Sequence, residues 1–151
     1  MTISHQNHLP LPQVIAVMFE QTLTSLMNFL EENGYDDIRT SHVLNVILHL
    51  RGEGMRSSEI AKRAGMTPQA MGELIDFLES RGYVMRIPDP ADGRAKLVMY
   101  GERGLDAAQK LNHFYADLES EWITAIGDDS GAVLRHSLQL LAERANSNSC
   151  Q

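Results

Sequence analysis

The chain has 151 residues, a length typical of one domain. With 43% hydrophobic and 22% charged residues, its composition excludes collagen-like, disulfide-rich and wholly disordered proteins. It contains no apolar run of about 18 residues and no basic-then-apolar N-terminus, so we predict neither a transmembrane helix nor a secretory signal. The one cysteine, Cys150, excludes an internal disulfide, and these features together predict a cytoplasmic protein.

The charge distribution is more informative than the total. The net charge is −7, which by itself argues against a nucleic-acid partner because phosphates require cations opposite them. Residues 51–103 carry nine basic and eight acidic side chains and so net +1, whereas the remainder nets −8. The negative charge therefore lies at the two ends of the chain, and the balanced middle remains compatible with DNA.

Two helices are predicted in the first third of the chain. Residues 11–32 place apolar side chains at steps of three and four, and the helix ends at residues 33–34. Its apolar stripe is wide, which indicates packing against more than one neighbour. A second, largely buried helix begins at residues 40–41 and runs to about Leu50.

Two short helices joined by a tight turn follow. Ser57 begins the first, and Gly65 ends it. Thr67 and Pro68 supply an N-cap hydroxyl and a proline for the first position of the next helix, which ends near residues 81–82. This arrangement predicts a helix-turn-helix.

The periodicity then changes from helix to strand. Residues 83–87 and 97–100 are β-prone, and the segment 88–94 between them is rich in turn residues. Because Pro88 and Pro90 have no N–H group to donate, we predict an exposed two-stranded ribbon.

Two further helices complete the chain. A long helix follows Gly101 and reaches about Ile126, a last helix spans 132–145, and the polar tail 146–151 is predicted to fray. The predicted fold is mainly α with a small β-hairpin directly after the helix-turn-helix, which is a winged helix. Such a fold suits duplex DNA because a helix about 10–12 Å wide fits the roughly 12 Å major groove.

The hairpin carries the most specific resemblance. Its sequence from Arg86 to Lys96, followed by Gly104, resembles the Asp-Pro-x-Asp-x-Arg wing of the MarR-type transcription regulators, and segments 59–67 and 78–84 are similar to the rest of that family's DNA-binding lobe. The resemblance implies a homodimeric DNA-binding regulator. It further implies one domain, 1–151, with a winged-helix lobe at about 40–100 and dimerisation helices at about 11–34 and 102–145.

The resemblance also implies roles for individual residues. Arg94 at the wing tip would enter the minor groove, and Asp92 with Asp89 would hold the wing and orient it. On the second helix of the helix-turn-helix, Gln69 can pair with adenine, and Thr67 can reach a phosphate or act only as an N-cap. The predicted DNA-binding residues are Ser57, Thr67, Pro68, Gln69, Gly72, Glu73, Arg86, Arg94 and Lys96.

One position departs from the family pattern. A hydroxyl residue and then a basic residue are usual where this chain has Gly72 and Glu73. An acid facing the groove repels phosphate, although glutamate can accept a hydrogen bond from cytosine. The operator preference is therefore unusual or the affinity for DNA is reduced, and the alternative function is a protein-interaction module that has lost DNA binding.

The family often binds small aromatic or phenolic acids, which implies a ligand-responsive repressor. Met18 and Phe19 are candidates for an apolar wall, and Arg39 and His42 for contacts with a carboxylate. Metal sensing is a further alternative, but the six histidines, among them His5 and His8, include no His-x-x-x-His pair. We predict no cofactor, no metal and no enzymatic activity, because no phosphate loop or nucleophile motif occurs. Cys150 is interpreted as an incidental thiol.

Overall fold

The computed structural model describes residues 9–50 and 52–148, with side chains up to residue 145. His5, His8 and Cys150 lie outside these residues. The chain forms two compact units, the first ending at Ala107 and the second beginning at Ala108. The elements in chain order are α1 (Leu11–Glu32), α2 (Thr40–Asn45), β1 (Met55–Arg56), α3 (Ser57–Ala64), α4 (Pro68–Ser80), β2 (Val84–Asp89), β3 (Asp92–Tyr100), α5 (Glu102–Ile126) and α6 (Asp128–Asn148).

The predicted helix-turn-helix is confirmed, and local signals explain it. Gly65 ends α3 in the left-handed conformation with φ +65°, which glycine adopts at no steric cost. The Thr67 hydroxyl then accepts a hydrogen bond from the backbone N–H of Ala70 at 3.2 Å, and Pro68 occupies the first position of α4. The turn between the helices is thus specified by three neighbouring residues.

The predicted hairpin of β2 and β3 is confirmed, and a third strand, β1, which the sequence did not predict, joins it. The sheet has three antiparallel strands in the order β1-β3-β2, and β1 pairs Met55 with Val98 and Arg56 with Leu97. A strand of two residues is too short to show an alternating pattern, so sequence periodicity missed it. Pro88 lies in β2 opposite Lys96, and β2 tolerates proline because it is an edge strand.

Two helix boundaries also differ from prediction. α2 ends at Asn45, and a single 3-10 turn, Ile47–His49, replaces its predicted last turn. α6 begins at Asp128 rather than residue 132, because Gly127 alone makes the break with φ +86°. Asp128 and its neighbour Asp129 then lie in the first helical turn, where the helix dipole favours acids. The helix continues through Asn148, three residues into the predicted frayed tail.

The first unit has a well-packed apolar core. It is formed by the inner faces of the helix-turn-helix and the sheet, and its fully buried side chains include Val46, Ile60, Met71, Ile75, Leu78, Tyr83, Val84 and Val98. Gly104 in the first turn of α5 is buried against this core, and a Cβ there would lie 2.0 Å from the carbonyl oxygen of Tyr83. The start of α5 therefore touches main chain directly.

A polar network fixes the start of α5 to the loop after α1. Arg103 donates to Asp37 Oδ2 at 2.8 Å and to the carbonyl of Gly34 at 2.9 Å, and its guanidinium lies 4.4 Å from the ring centroid of Tyr83. The Tyr83 hydroxyl donates to Asp37 Oδ1. Burial would raise the pKa of Asp37, but the hydrogen bonds from Tyr83 and Arg103 and the Arg103 charge lower it overall.

Many large apolar side chains outside this core are exposed. In α1 they are Leu11, Val14, Ile15, Val17, Met18 and Phe19, and in α6 they are Val133, Leu134, Leu138, Leu140 and Leu141. In the described part of the chain, no helix combines the length and apolarity needed to cross a bilayer.

Candidate nucleic-acid interface

The first turns of α4 present a polar, accessible surface. Met71, Ile75 and Leu78 are buried on the inner face of this helix. Its outer face at the N-terminal end consists of Thr67, Pro68, Gln69 and Glu73, which are exposed, with the half-buried Gly72. A Cβ at Gly72 would meet nothing within 4 Å, so the surface there is open. These residues are among the predicted DNA contacts.

The wing provides a second accessible surface. Arg94 and Lys96 are exposed in the first half of β3, next to the turn with β2. The Arg94 backbone N–H donates to Asp92 Oδ1 at 3.1 Å. Within residues 9–50 and 52–145, the Arg94 guanidinium pairs with no carboxylate, so its charge is available to a partner.

The wing carboxylates bind an arginine that the sequence analysis missed. Asp89 is buried, and it accepts hydrogen bonds from Arg56 Nε at 2.7 Å and from the Ala91 backbone N–H at 2.8 Å. Asp92 Oδ2 lies 3.7 Å from Arg56 Nη2. The hydrogen bond from Ala91, followed by that from Arg56, lowers the pKa of Asp89.

The predicted mechanism of wing orientation is corrected accordingly. The resemblance implies that Asp92 and Asp89 orient Arg94 through charge-assisted bonds, but the charged partner of both carboxylates is Arg56. Asp92 contacts Arg94 only through the backbone N–H. Arg56 and Asp89 are 33 residues apart in sequence. The only feature of the sequence that could have suggested this ion pair is a basic residue immediately before α3.

Arg86 is bound by two carboxylates of α4. Its guanidinium binds Asp76 Oδ1 at 2.6 Å and the carboxylate of Glu79, and its backbone N–H donates to Glu79 Oε1 at 3.1 Å. Burial lowers the pKa of Arg86, but these carboxylates raise it overall. Arg86 therefore joins β2 to α4 and neutralises two acids of α4, rather than presenting a free cation as predicted for a DNA contact.

Glu73 differs from the other acids of α4. Asp76 and Glu79 share the guanidinium of Arg86, whereas Glu73 is exposed and pairs with no cation in the described part of the chain. The outer face of α4 thus carries one uncompensated carboxylate. Ser57, also predicted to contact DNA, is half-buried at the first position of α3.

The predicted ligand residues lie in two different environments. Met18 and Phe19 are exposed in α1, and Arg39 is exposed at the N-cap of α2. His42 is buried, and its Nδ1 accepts a hydrogen bond from the Arg39 backbone N–H at 3.1 Å. The His42 ring therefore caps α2 through Nδ1, and its contact with a ligand carboxylate stays a prediction.

A surface depression on α1 is lined by Val17, Glu20, Gln21, Thr24 and Ser25, which include none of the predicted ligand residues. Among the residues that the structure describes, no group of three or more His, Cys, Asp or Glu side chains is placed to hold a metal ion.

An accessible helix beside a three-stranded wing defines the chain as a winged-helix protein. Residues 40–96 match the model of the MarR family. An uncharacterised HTH-type transcriptional regulator of Mycobacterium leprae is 28% identical over 101 residues, which cover 66% of this chain and 71% of that protein. The chain is therefore similar to the MarR family and to HTH-type transcriptional regulators.

Solved structures agree with this fold. FabT of Streptococcus pneumoniae, in complex with DNA, superposes with a TM-score of 0.73 at 16% identity and covers 90% of this chain and 95% of its own. A mutant MarR from E. coli superposes with a TM-score of 0.65 at 25% identity and covers 89% of this chain and 98% of its own.

Proposed function

We propose that the protein binds a pseudo-palindromic operator in duplex DNA as a homodimer, with α4 in the major groove and the wing beside it. The observation that carries the proposal is that the accessible face of α4 and the exposed Arg94 belong to one compact unit, in which Arg86 joins β2 to α4. The DNA-bound FabT, which shares the fold, supports it. A DNA partner also supports action in the cytoplasm. The similarity to the MarR family supports a regulator without enzymatic activity.

The predicted contact residues have chemically defined roles in this proposal. Gln69 makes paired hydrogen bonds to adenine, and Glu73 accepts one from cytosine N4. Arg94 enters the minor groove, where the negative potential is focused, and Lys96 pairs with a phosphate. Thr67 and Ser57 contact phosphates, and the N-cap role of Thr67 is compatible with that contact because a hydroxyl both donates and accepts.

The exposed apolar faces of α1 and α6 support the homodimer. Large apolar side chains are exposed along each of the two helices, and exposed apolar surface of this kind is typical of protein interfaces. A two-fold axis would present two copies of α4 to successive major grooves, about 34 Å apart. We expect a dimer by light scattering, and Leu138→Asp should shift the protein toward monomer.

We further propose that a small aromatic acid releases the dimer from DNA and so relieves repression. Exposed Met18 and Phe19 supply apolar surface, and exposed Arg39 supplies a cation for the carboxylate. Such a ligand acts only if it binds the DNA-free conformation more tightly. Salicylate is a suitable probe, and we expect it to weaken operator binding in the parent protein and less so in Arg39→Ala.

The central experiment measures binding to the DNA upstream of the protein's own gene by fluorescence anisotropy across a salt series. Arg94→Ala should weaken binding about tenfold or more and reduce the slope of log K against log salt by about 2, because the dimer carries two copies of Arg94. Arg144→Ala, which removes one exposed arginine from α6, should leave binding unchanged. Equal affinity of Arg94→Ala and the parent would remove the wing contact, and no binding to any genomic DNA would favour the protein-interaction alternative.

A further inference from the structure

We infer that Arg56 is the positioning residue that fixes the wing for DNA binding. The inference rests on the proposed function, and it adds a residue that itself touches no DNA in that proposal. The geometry behind it is a chain of contacts that runs from the residue before α3, through the carboxylates of Asp89 and Asp92, to the backbone of Arg94.

The wing tip depends on side chains because its backbone has few donors. Pro88 and Pro90 carry no N–H group, and the β2–β3 pairing changes register between Pro88 and Asp89. The Asp89 carboxylate compensates, since it accepts the N–H of Ala91 and holds Arg56 through two nitrogens, Nε at 2.7 Å and Nη2 at 2.5 Å. Both nitrogens lie against Oδ2, and charge-assisted contacts of this kind are short and strong.

Arg56 lies in β1, at the edge of the sheet opposite β2, and its backbone holds it in place. Its backbone pairs with Leu97 in β3, and it is the N-cap residue of α3 without using its side chain as a cap. Because the guanidinium is not used as a helix cap, it reaches the carboxylates of the wing instead. The Asp89 side chain is only 8% exposed. Without Arg56 its carboxylate would lose its charged partner while still buried, and the wing tip would have to open for water to reach it.

The first measurement requires no DNA. In the full-length protein we expect Arg56→Met, which keeps much of the side-chain packing, to speed hydrogen exchange at the Ala91 and Arg94 amides by about tenfold or more. Exchange in the buried core of α4 should stay unchanged. Arg63→Met is the matched control, because Arg63 pairs with Glu59 on α3 and does not touch the wing. Unchanged exchange at both wing amides would overturn the inference whether or not the protein binds DNA.

The second measurement separates positioning from a general loss of structure. On operator DNA, Arg56→Met should weaken binding about tenfold, and Arg56→Lys should restore part of it. In the Arg94→Ala background, Arg56→Met should have little further effect, because both act through the same contact. Arg63→Met should instead add its effect to that of Arg94→Ala. Additive effects of Arg56→Met and Arg94→Ala would show that Arg56 does not act through the wing arginine.

Discussion

The ring of His42 stacks on the ring of Phe77, with centroids 4.6 Å apart and planes 20° from parallel. This contact joins α2 to α4. Because Nδ1 of His42 accepts the Arg39 N–H, the neutral ring carries its proton on Nε2. Burial, together with the nearby charge of Arg39, lowers the pKa of His42. Protonation of His42 in acid therefore destabilises the folded state in which the two rings stack.

Stability should therefore fall in mild acid. The unfolded chain binds a proton at His42 near pH 6.5, whereas the folded chain resists it, so the contribution of His42 is present above pH 6.5 and lost as the pH falls through the lower folded value. Urea unfolding at pH 7.5 and 5.5 measures this loss. His42→Asn, which retains an acceptor, should reduce the pH dependence, while His113→Asn, at an exposed position of α5, should retain it. An unaltered pH dependence in His42→Asn would contradict the assignment.

Two glycines should respond in opposite directions to alanine. Gly104→Ala places a methyl group against the carbonyl of Tyr83, and we expect a loss of about 1–3 kcal/mol in the free energy of unfolding. Gly72→Ala has open space around it within α4, and we expect a gain of about 0.5–1 kcal/mol because alanine favours helix. Thermal or urea denaturation compares both variants, and a stable Gly104→Ala protein would refute the close approach of α5 to Tyr83.

The network around Asp37 should contribute to stability. Asp37→Asn removes the charge that holds Arg103 and changes the acceptor for Tyr83, so we expect a loss of about 1.5–3 kcal/mol in the free energy of unfolding. Asp36→Asn is the matched control, because the neighbouring residue is exposed and should change stability by less than about 0.5 kcal/mol. Similar losses in both variants would assign the effect to net charge rather than to the network.

The free carboxylate of Glu73 should restrict DNA binding to selected sequences. We expect Glu73→Gln to raise the affinity for non-operator DNA, since one repulsion with phosphate is removed, and to relax the preference for cytosine at one position of each half-site. Binding to a randomised DNA library measures both effects. Glu102→Gln, at an exposed acid of α5, controls for net charge. A library preference that Glu73→Gln leaves unchanged would remove Glu73 from base recognition.

Features that depend on neighbouring residues were predicted correctly, and contacts between residues far apart in the sequence were not. Gly65, Thr67 and Pro68 specify the helix-turn-helix within four residues, and that prediction is confirmed. The partners Arg56 and Asp89 are 33 residues apart and meet only because β1 joins β3, a pairing that two residues could not reveal. For the same reason, the sequence could not show which side chains lie next to each predicted contact residue.

Arg86 and His42 show a second limit. Both have side chains that suit a ligand or a phosphate, and sequence alone could not show that nearby groups already occupy them. Arg86 meets two carboxylates of α4, and His42 meets a backbone N–H and an aromatic ring. Whether a polar group is available depends on its neighbours in three dimensions.

Proline in the edge strand has a consequence for association. An open strand edge invites strands from other molecules, and a protruding ribbon is vulnerable to this. Pro88 interrupts the row of N–H donors on β2, and Pro90 is the first residue after that strand. The ribbon can therefore extend into solvent without serving as a template for cross-molecule β-aggregation.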